Sequence, residues 1–188
     1  HRILLAKFTS DVSEPVGAWK TEPNCTFLNV GNESIYYQYA DPEDVPFLMN
    51  RWLDLLNDDM DANLSMHDAA ECYARLHLTF VWIHPFFNGN GRMARLLSNV
   101  PVLWAGFPPI LVAERNRTEY LHLLDEFLLA KGRADRNSDL DLYDECVCGF
   151  CEFCTSSWQD SLDLLTETWR IQRARNHIRH GPQFCLPG

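Results

Sequence analysis

In "WIHPFFNGNGRMAR", Trp82 to Arg95, one histidine, two asparagines, two glycines and two arginines follow directly on an apolar run. Gly89 and Gly91 permit the positive φ angles that turn successive backbone N–H groups toward one point, a nest for an anion. A helix starting just beyond adds the positive end of its dipole. Arg92 opens that helix and Arg95 follows three residues later on nearly the same side. Nest, helix N-terminus and two guanidiniums suit a short chain of phosphates. His84 precedes them, its position fixed by Pro85. A neutral imidazole beside phosphates can serve as general base for a hydroxyl nucleophile. Taken alone, "GNG" is equally a plain turn between helices. Neither the G-x-x-x-x-G-K-[ST] loop nor a strand followed by G-x-G-x-x-G is present.

The elements that must carry these residues read as mostly helical. Residues 2–9, "RILLAKFT", suggest a short helix ended by Pro15 and Gly17. "NCTFLNV" and "SIYYQYA", with "VGNES" across their junction, suggest a β-hairpin. In "DPEDVPFLMNRWLDLLND", Val45, Leu48, Met49, Trp52, Leu53, Leu55 and Leu56 form a helical stripe. Ser65 with Asp68 three residues on resembles a capping box. The helix it starts carries Ala69, Cys72, Tyr73, Leu76, Phe80 and Ile83, and should stop where His84 precedes Pro85. Met93, Leu96, Leu97 and Val100 mark the helix after Gly91, which Pro101 should kink or break. Further helices are expected over about 117–130 and 140–175.

The chain has 188 residues, within reach of one domain with one sizeable core. A formal charge of −10 argues against a general nucleic-acid or anionic-membrane binder. Basic groups still gather around Arg92 and Arg95 and from Arg170 to Arg179, and a local cationic pocket suits a small anionic ligand. The apolar runs fall short of a membrane span, and no signal peptide is visible. The chain opens at His1 rather than Met, which leaves upstream signals open. Of seven cysteines, Cys146, Cys148, Cys151 and Cys154 fall in "CVCGFCEFC". On one helix, at about 100° per residue, these four thiols spread over roughly 200° of circumference, too wide for a single tetrahedral zinc. They read as small core residues, and reduced thiols suggest a cytoplasmic setting.

"HPFFNGNGRMAR" resembles the signature of the Fic family, H-P-F-x-[D/E]-G-N-G-R-x-x-R, at eleven of twelve positions with x free. "LHLTFVWIHPF" before it and "RLLSNVPVLWAGFPPI" and "RNRTEYLHLL" after it resemble the family's flanking helices, and "VGAWKT" its lead-in to a flap, with Lys20 where Arg is commoner. The resemblance implies an all-α helical bundle with a small N-terminal β-hairpin flap at about 19–39. It implies one catalytic domain over 1–170, with motif 84–95, followed by a basic tail at 171–188. The implied activity is transfer of a nucleoside monophosphate, usually AMP from ATP, to a Ser, Thr or Tyr hydroxyl of a target protein, with release of pyrophosphate. His84 would deprotonate that hydroxyl. Gly89, Asn90 and Gly91 would cradle the phosphates, Arg92 and Arg95 would hold the outer ones, and Pro85 and Phe86 would be structural. Lys20 and Thr21 would belong to the flap that docks the target by strand addition.

Two departures accompany the likeness. The family's acidic Mg²⁺ position is Asn88 here, an amide without the charge that favours a hard cation. Tyr120-Leu121 stands where many members have Tyr-Tyr, which leaves the choice of nucleotide open. Transfer of UMP or phosphocholine, or a weakened nucleotide-binding or interaction module, is the alternative. Gly91 argues against a kinase-like relative that carries Lys there. For the inhibitory helix of many members, [ST]-x-x-x-E-[GN], the candidate is Ser10 to Glu14, spoiled by Pro15. No self-inhibition is read within these residues, which leaves open an inhibitory segment upstream or on a partner protein.

Overall fold

The computed structural model describes residues 1, 3, 17–61, 63–143 and 145–179, with side chains described to residue 173 and not for residue 61. The helix expected over 2–9 lies almost wholly outside the described residues, as does all of the stretch from 10 to 14.

A hairpin comes first. Strands β1 (Cys25–Val30) and β2 (Glu33–Gln38) pair antiparallel, Cys25 opposite Gln38 and Val30 opposite Glu33. Their two-residue turn needs a left-handed backbone, which Gly31 supplies at φ 60°. Side chains alternate as a pleated strand demands: Leu28 and Tyr37 face inward, while Phe27 and Tyr36 form an edge-to-face pair in solvent.

Helices follow: α1 (Val45–Asp61), α2 (Met66–Ile83), α3 (Asn90–Leu97), α4 (Asn99–Trp104), a 3₁₀ turn (Glu114–Asn116), α5 (Arg117–Lys131) and α6 (Glu145–Arg179). The chain is thus a helical bundle with one small hairpin. α2 is its axis, packed against α1, α3, α4, α5 and α6. Every side chain from Cys72 to Ile83 is buried, so over this stretch the whole circumference of α2 faces protein. The Ser65–Asp68 capping box starts it: Ser65 Oγ accepts the Asp68 N–H at 3.2 Å, and Asp68 accepts the Ser65 N–H at 3.1 Å.

Pro101 interrupts the helical run, but three residues ahead of itself. Proline cannot donate to the carbonyl four residues back, and its ring crowds that carbonyl. The break therefore falls at Ser98, and Pro101 sits in the first turn of α4. α6 departs further from expectation. It begins at residue 145, not 140, and runs to Arg179, a turn beyond the expected end at about 175. The cysteines order themselves around it by angle. Cys151 and Cys154 lie in the buried arc, while Cys146 is half-buried at one margin and Cys148 is exposed at the other. The expectation of four core thiols fails at Cys148. No helix among the described residues is long and apolar enough to cross a membrane.

Candidate active site

His84 caps the C-terminal end of α2. Pro85 disfavours helical geometry in the residue before it. His84 instead adopts the left-handed conformation, φ 53° and ψ 57°, and is the one residue other than glycine with positive φ among the described residues. Such a conformation costs about 1–2 kcal/mol for a side chain with a Cβ. The surroundings hold it there. Its N–H donates to the Phe80 carbonyl at 3.0 Å, and its ring stacks on Tyr39 with centroids 3.6 Å apart. Nδ1 lies 3.2 Å from the Val81 carbonyl, which can only accept, so Nδ1 carries the proton. Nε2 is left with its lone pair. Burial, and secondarily the Lys20 ammonium, push the His84 pKa well below its usual value. The imidazole is a neutral base at physiological pH.

Beyond His84 the loop is braced from three sides. The Lys20 N–H donates to the Pro85 carbonyl at 2.9 Å. Asn90, buried, accepts the Phe86 N–H at 2.9 Å and donates to the Phe86 carbonyl at 2.7 Å. Asn24 donates to the same carbonyl at 3.0 Å, and Lys20 Nζ donates to Asn24 Oδ1 at 2.8 Å. Phe86 packs on the core beneath the loop, 6.3 Å from Phe80 between ring centroids, and the His1 ring stacks on its other face. The Asn90 side chain is thus a brace, and what it can offer a phosphate is its backbone N–H.

Two expectations change here. Gly89 has the left-handed backbone foreseen for it, φ 79°, but Gly91 is the second residue of α3 and helical. A Cβ at Gly91 would meet Arg95 Nη1 at 3.6 Å and the Tyr120 hydroxyl at 4.0 Å, so this glycine keeps space open over the helix start rather than turning the chain. Lys20 is 3 % exposed, and so does not project from the flap toward a target; Thr21 does reach solvent. Burial lowers the Lys20 pKa to about 8, against a smaller opposing pull from Asp41.

Gly89 gives α3 no side-chain cap. The first N–H groups of α3 therefore receive no side-chain cap and lie at the positive end of the helix dipole. Arg92 and Arg95 stand on this first part of α3, both half-buried. Arg95 Nη1 donates to the Tyr120 hydroxyl at 3.2 Å, and its guanidinium lies 5.7 Å from the Tyr120 ring centroid. Tyr120 is buried. It backs an arginine rather than standing open as a platform for a base.

Asn88 is exposed, and its Oδ1 accepts the neighbouring Gly89 N–H at 2.7 Å. A hard divalent cation needs oxygen ligands with charge to offset dehydration. Position 88 offers a neutral amide oxygen already engaged. Among the described residues, the grouping able to share a cation is His67, Asp68 and Glu71, at the opposite end of α2 and about 25 Å of helix from His84. The residues of the loop do not fit a protein-held Mg²⁺.

Tyr39 and His77 are contributors that sequence reasoning missed. Tyr39 has no local signal. His77 has one: it lies four residues from Tyr73, on the buried circumference of α2 and in the middle of an apolar run.

Residues 1–101 match the sequence profile of the Fic/DOC family. The chain belongs to that family. Among curated relatives it is 40% identical over 83 residues to the protein adenylyltransferase Fic of Drosophila willistoni, a match covering 44% of this chain and 16% of that protein. It is 42% identical over 84 residues to the same-named protein of Drosophila ananassae, covering 44% and 16%. The match thus spans about a sixth of the length of those relatives. The Fic domain containing signaling protein of Bacteroides thetaiotaomicron superposes with a TM-score of 0.67 at 30% identity, covering 82% of this chain and 55% of that one. A Fic family protein of Desulfovibrio desulfuricans, 21% identical with a TM-score of 0.58 over 89% of this chain and 45% of that one, shares the fold.

Proposed function

We propose that this Fic domain transfers AMP from ATP to a hydroxyl of a target protein and releases pyrophosphate. The observation that carries the reading is the tautomer of His84. A proton fixed on Nδ1 by Val81 leaves Nε2 as acceptor, a few residues before an uncapped helix start flanked by two arginines. The hydroxyl oxygen of the target attacks the α-phosphorus, and His84 Nε2 takes its proton. The bond from the α-phosphorus to the bridging oxygen breaks, and pyrophosphate leaves with both electrons of that bond. The N–H groups at the start of α3 face the charge that builds on the α-phosphate oxygens. Arg92 and Arg95 hold the β- and γ-phosphates. Mg²⁺ enters, on this reading, on the nucleotide's own phosphates and not on position 88. The hairpin, with Phe27 and Tyr36 outward, is the flap along which the target chain aligns.

A second reading, a nucleotide-binding module with weakened chemistry, is favoured by one observation, the engaged amide of Asn88. Competition separates these readings. Protein and a cell lysate are incubated with Mg²⁺ and ATP labelled on the α-phosphate, with excess unlabelled ATP, UTP or CDP-choline. Label suppressed by ATP alone supports AMP transfer. Suppression by UTP or CDP-choline points to another donor, and ATP binding without label points to the module. Asn88→Asp raises labelling or Mg²⁺ dependence if position 88 faces the metal; no change removes it from the site.

A further inference from the structure

Behind the phosphate-binding arginine lies a polar group that the proposed reaction does not use. His77 is fully buried in the middle of α2. Its ring is stacked against Tyr73 at 5.5 Å and Phe150 at 5.2 Å between centroids, and Tyr120 meets it edge-on at 5.6 Å. An imidazole in an aromatic cage is a poor packing choice, since each unsatisfied buried polar atom costs free energy that an apolar side chain avoids. Nδ1 has no hydrogen-bond partner among the described residues. Nε2 has one, the Tyr120 hydroxyl at 3.0 Å.

The direction of that bond follows from the next. Arg95 can only donate, so at 3.2 Å the Tyr120 oxygen accepts from Nη1. The single hydroxyl proton is then available to His77 Nε2, the ring nitrogen that has a partner, and we take Nε2 as its acceptor. His77 is therefore neutral with its proton on Nδ1, the unpartnered atom. The alternative tautomer would aim an N–H at the hydroxyl and drive its proton toward a guanidinium that cannot accept it. Burial and the Arg95 charge both disfavour the imidazolium, lowering the His77 pKa to about 3.

We infer that His77, through the Tyr120 hydroxyl, is a positioning residue that fixes the Arg95 guanidinium for the outer phosphates of the nucleotide. The geometry is a one-way chain, Arg95 Nη1–H to Tyr120 O and Tyr120 O–H to His77 Nε2. It lies directly under the start of α3, where a Cβ on Gly91 would touch both Arg95 and Tyr120. This role rests on the reading that Arg95 holds the outer phosphates. It adds what keeps that arginine from swinging into solvent.

The test compares ATP with AMP, which lacks the outer phosphates, by calorimetric titration of the full chain. Wild type binds ATP more tightly than AMP. His77→Leu and Tyr120→Phe each lower the ATP-to-AMP affinity ratio by about tenfold, and the double variant lowers it no further, because both act through one arginine. His77→Gln, whose amide oxygen can accept from Tyr120, keeps most of the ratio. A structural defect alone would weaken both ligands together and leave the ratio intact. A wild-type preference that survives His77→Leu overturns the inference. No wild-type preference instead overturns the reading of Arg95, and this inference with it. A second measurement needs neither variant nor nucleotide: two-bond ¹H–¹⁵N spectra at neutral pH show the His77 ring protonated on Nδ1 alone, and a proton on Nε2 would contradict the chain.

Discussion

The two ends of α2 are built by opposite rules. At its start the capping box satisfies the first donors, and Arg75, about two turns beyond Asp68, is fully engaged. Its guanidinium pairs with Asp59 at 2.6 Å and with Asp141, donates to the Tyr143 hydroxyl at 2.7 Å, and lies over the Tyr143 ring. Cys72 donates to the same Asp59, and burial pushes its thiol pKa upward, so it stays protonated. From mid-helix to the far end, His77 has an unpartnered nitrogen and His84 a strained backbone, and beside His84 Lys20 has a desolvated ammonium and α3 begins without a side-chain cap. One end gains stability from satisfied polar groups. The other carries backbone strain and desolvated polar groups next to an uncapped helix start.

The comparison breaks most visibly at the satisfied end. Arg75→Ala leaves Asp59 buried without its partner and lowers stability by about 3 kcal/mol, read from urea unfolding. The strained end responds to pH instead. His77 has a folded-state pKa near 3 against 6.5 in the unfolded chain, so the unfolded state binds the extra proton as pH falls. Stability is fully present above pH 6.5 and declines below it, by up to about 1.4 kcal/mol per pH unit. Thermal unfolding between pH 7 and 4.5 shows that slope together with the one from His84, and His77→Leu removes the His77 share alone.

Gly91→Ala sharpens the contrast because two readouts move in opposite directions. Alanine in a helix is favoured over glycine by about 1 kcal/mol, and the new Cβ meets only ordinary contacts, so the unfolding midpoint rises. The stabilisation that ATP confers on the melting temperature falls, because the methyl group closes the approach to the helix start. The smallest effect belongs to the cap: Ser65→Ala removes about 0.5–1 kcal/mol and leaves nucleotide binding unchanged.

The same division separates what was legible in the sequence from what was not. The Ser65–Asp68 cap, the stop before Pro85, the hairpin turn at Gly31-Asn32 and the start at Arg117 are each fixed by neighbours a few residues apart. Local pattern suffices for such features. Tyr39 stacked on His84, Lys20 turned inward to Asn24 and His77 bonded to Tyr120 depend on how distant elements pack. Spacing carries no record of that. Gly91 misled for a related reason. Glycine permits positive φ without requiring it, and here its missing Cβ matters more than its backbone freedom. In the motif, the residue types pointed to an anion and a base, while the roles of Asn90 and Asn88 waited on which atoms their amides engage.

The account turns on His84 as base for transfer of the nucleotide's α-phosphate. The most direct measurement compares ATP labelled on the α-phosphate with ATP labelled on the γ-phosphate, using wild type and His84→Ala. Bound label from the α-position alone, lost by at least about a hundredfold in His84→Ala while the variant stays folded, is the predicted result. Protein labelled from the γ-position, or α-label that persists in His84→Ala, would contradict it.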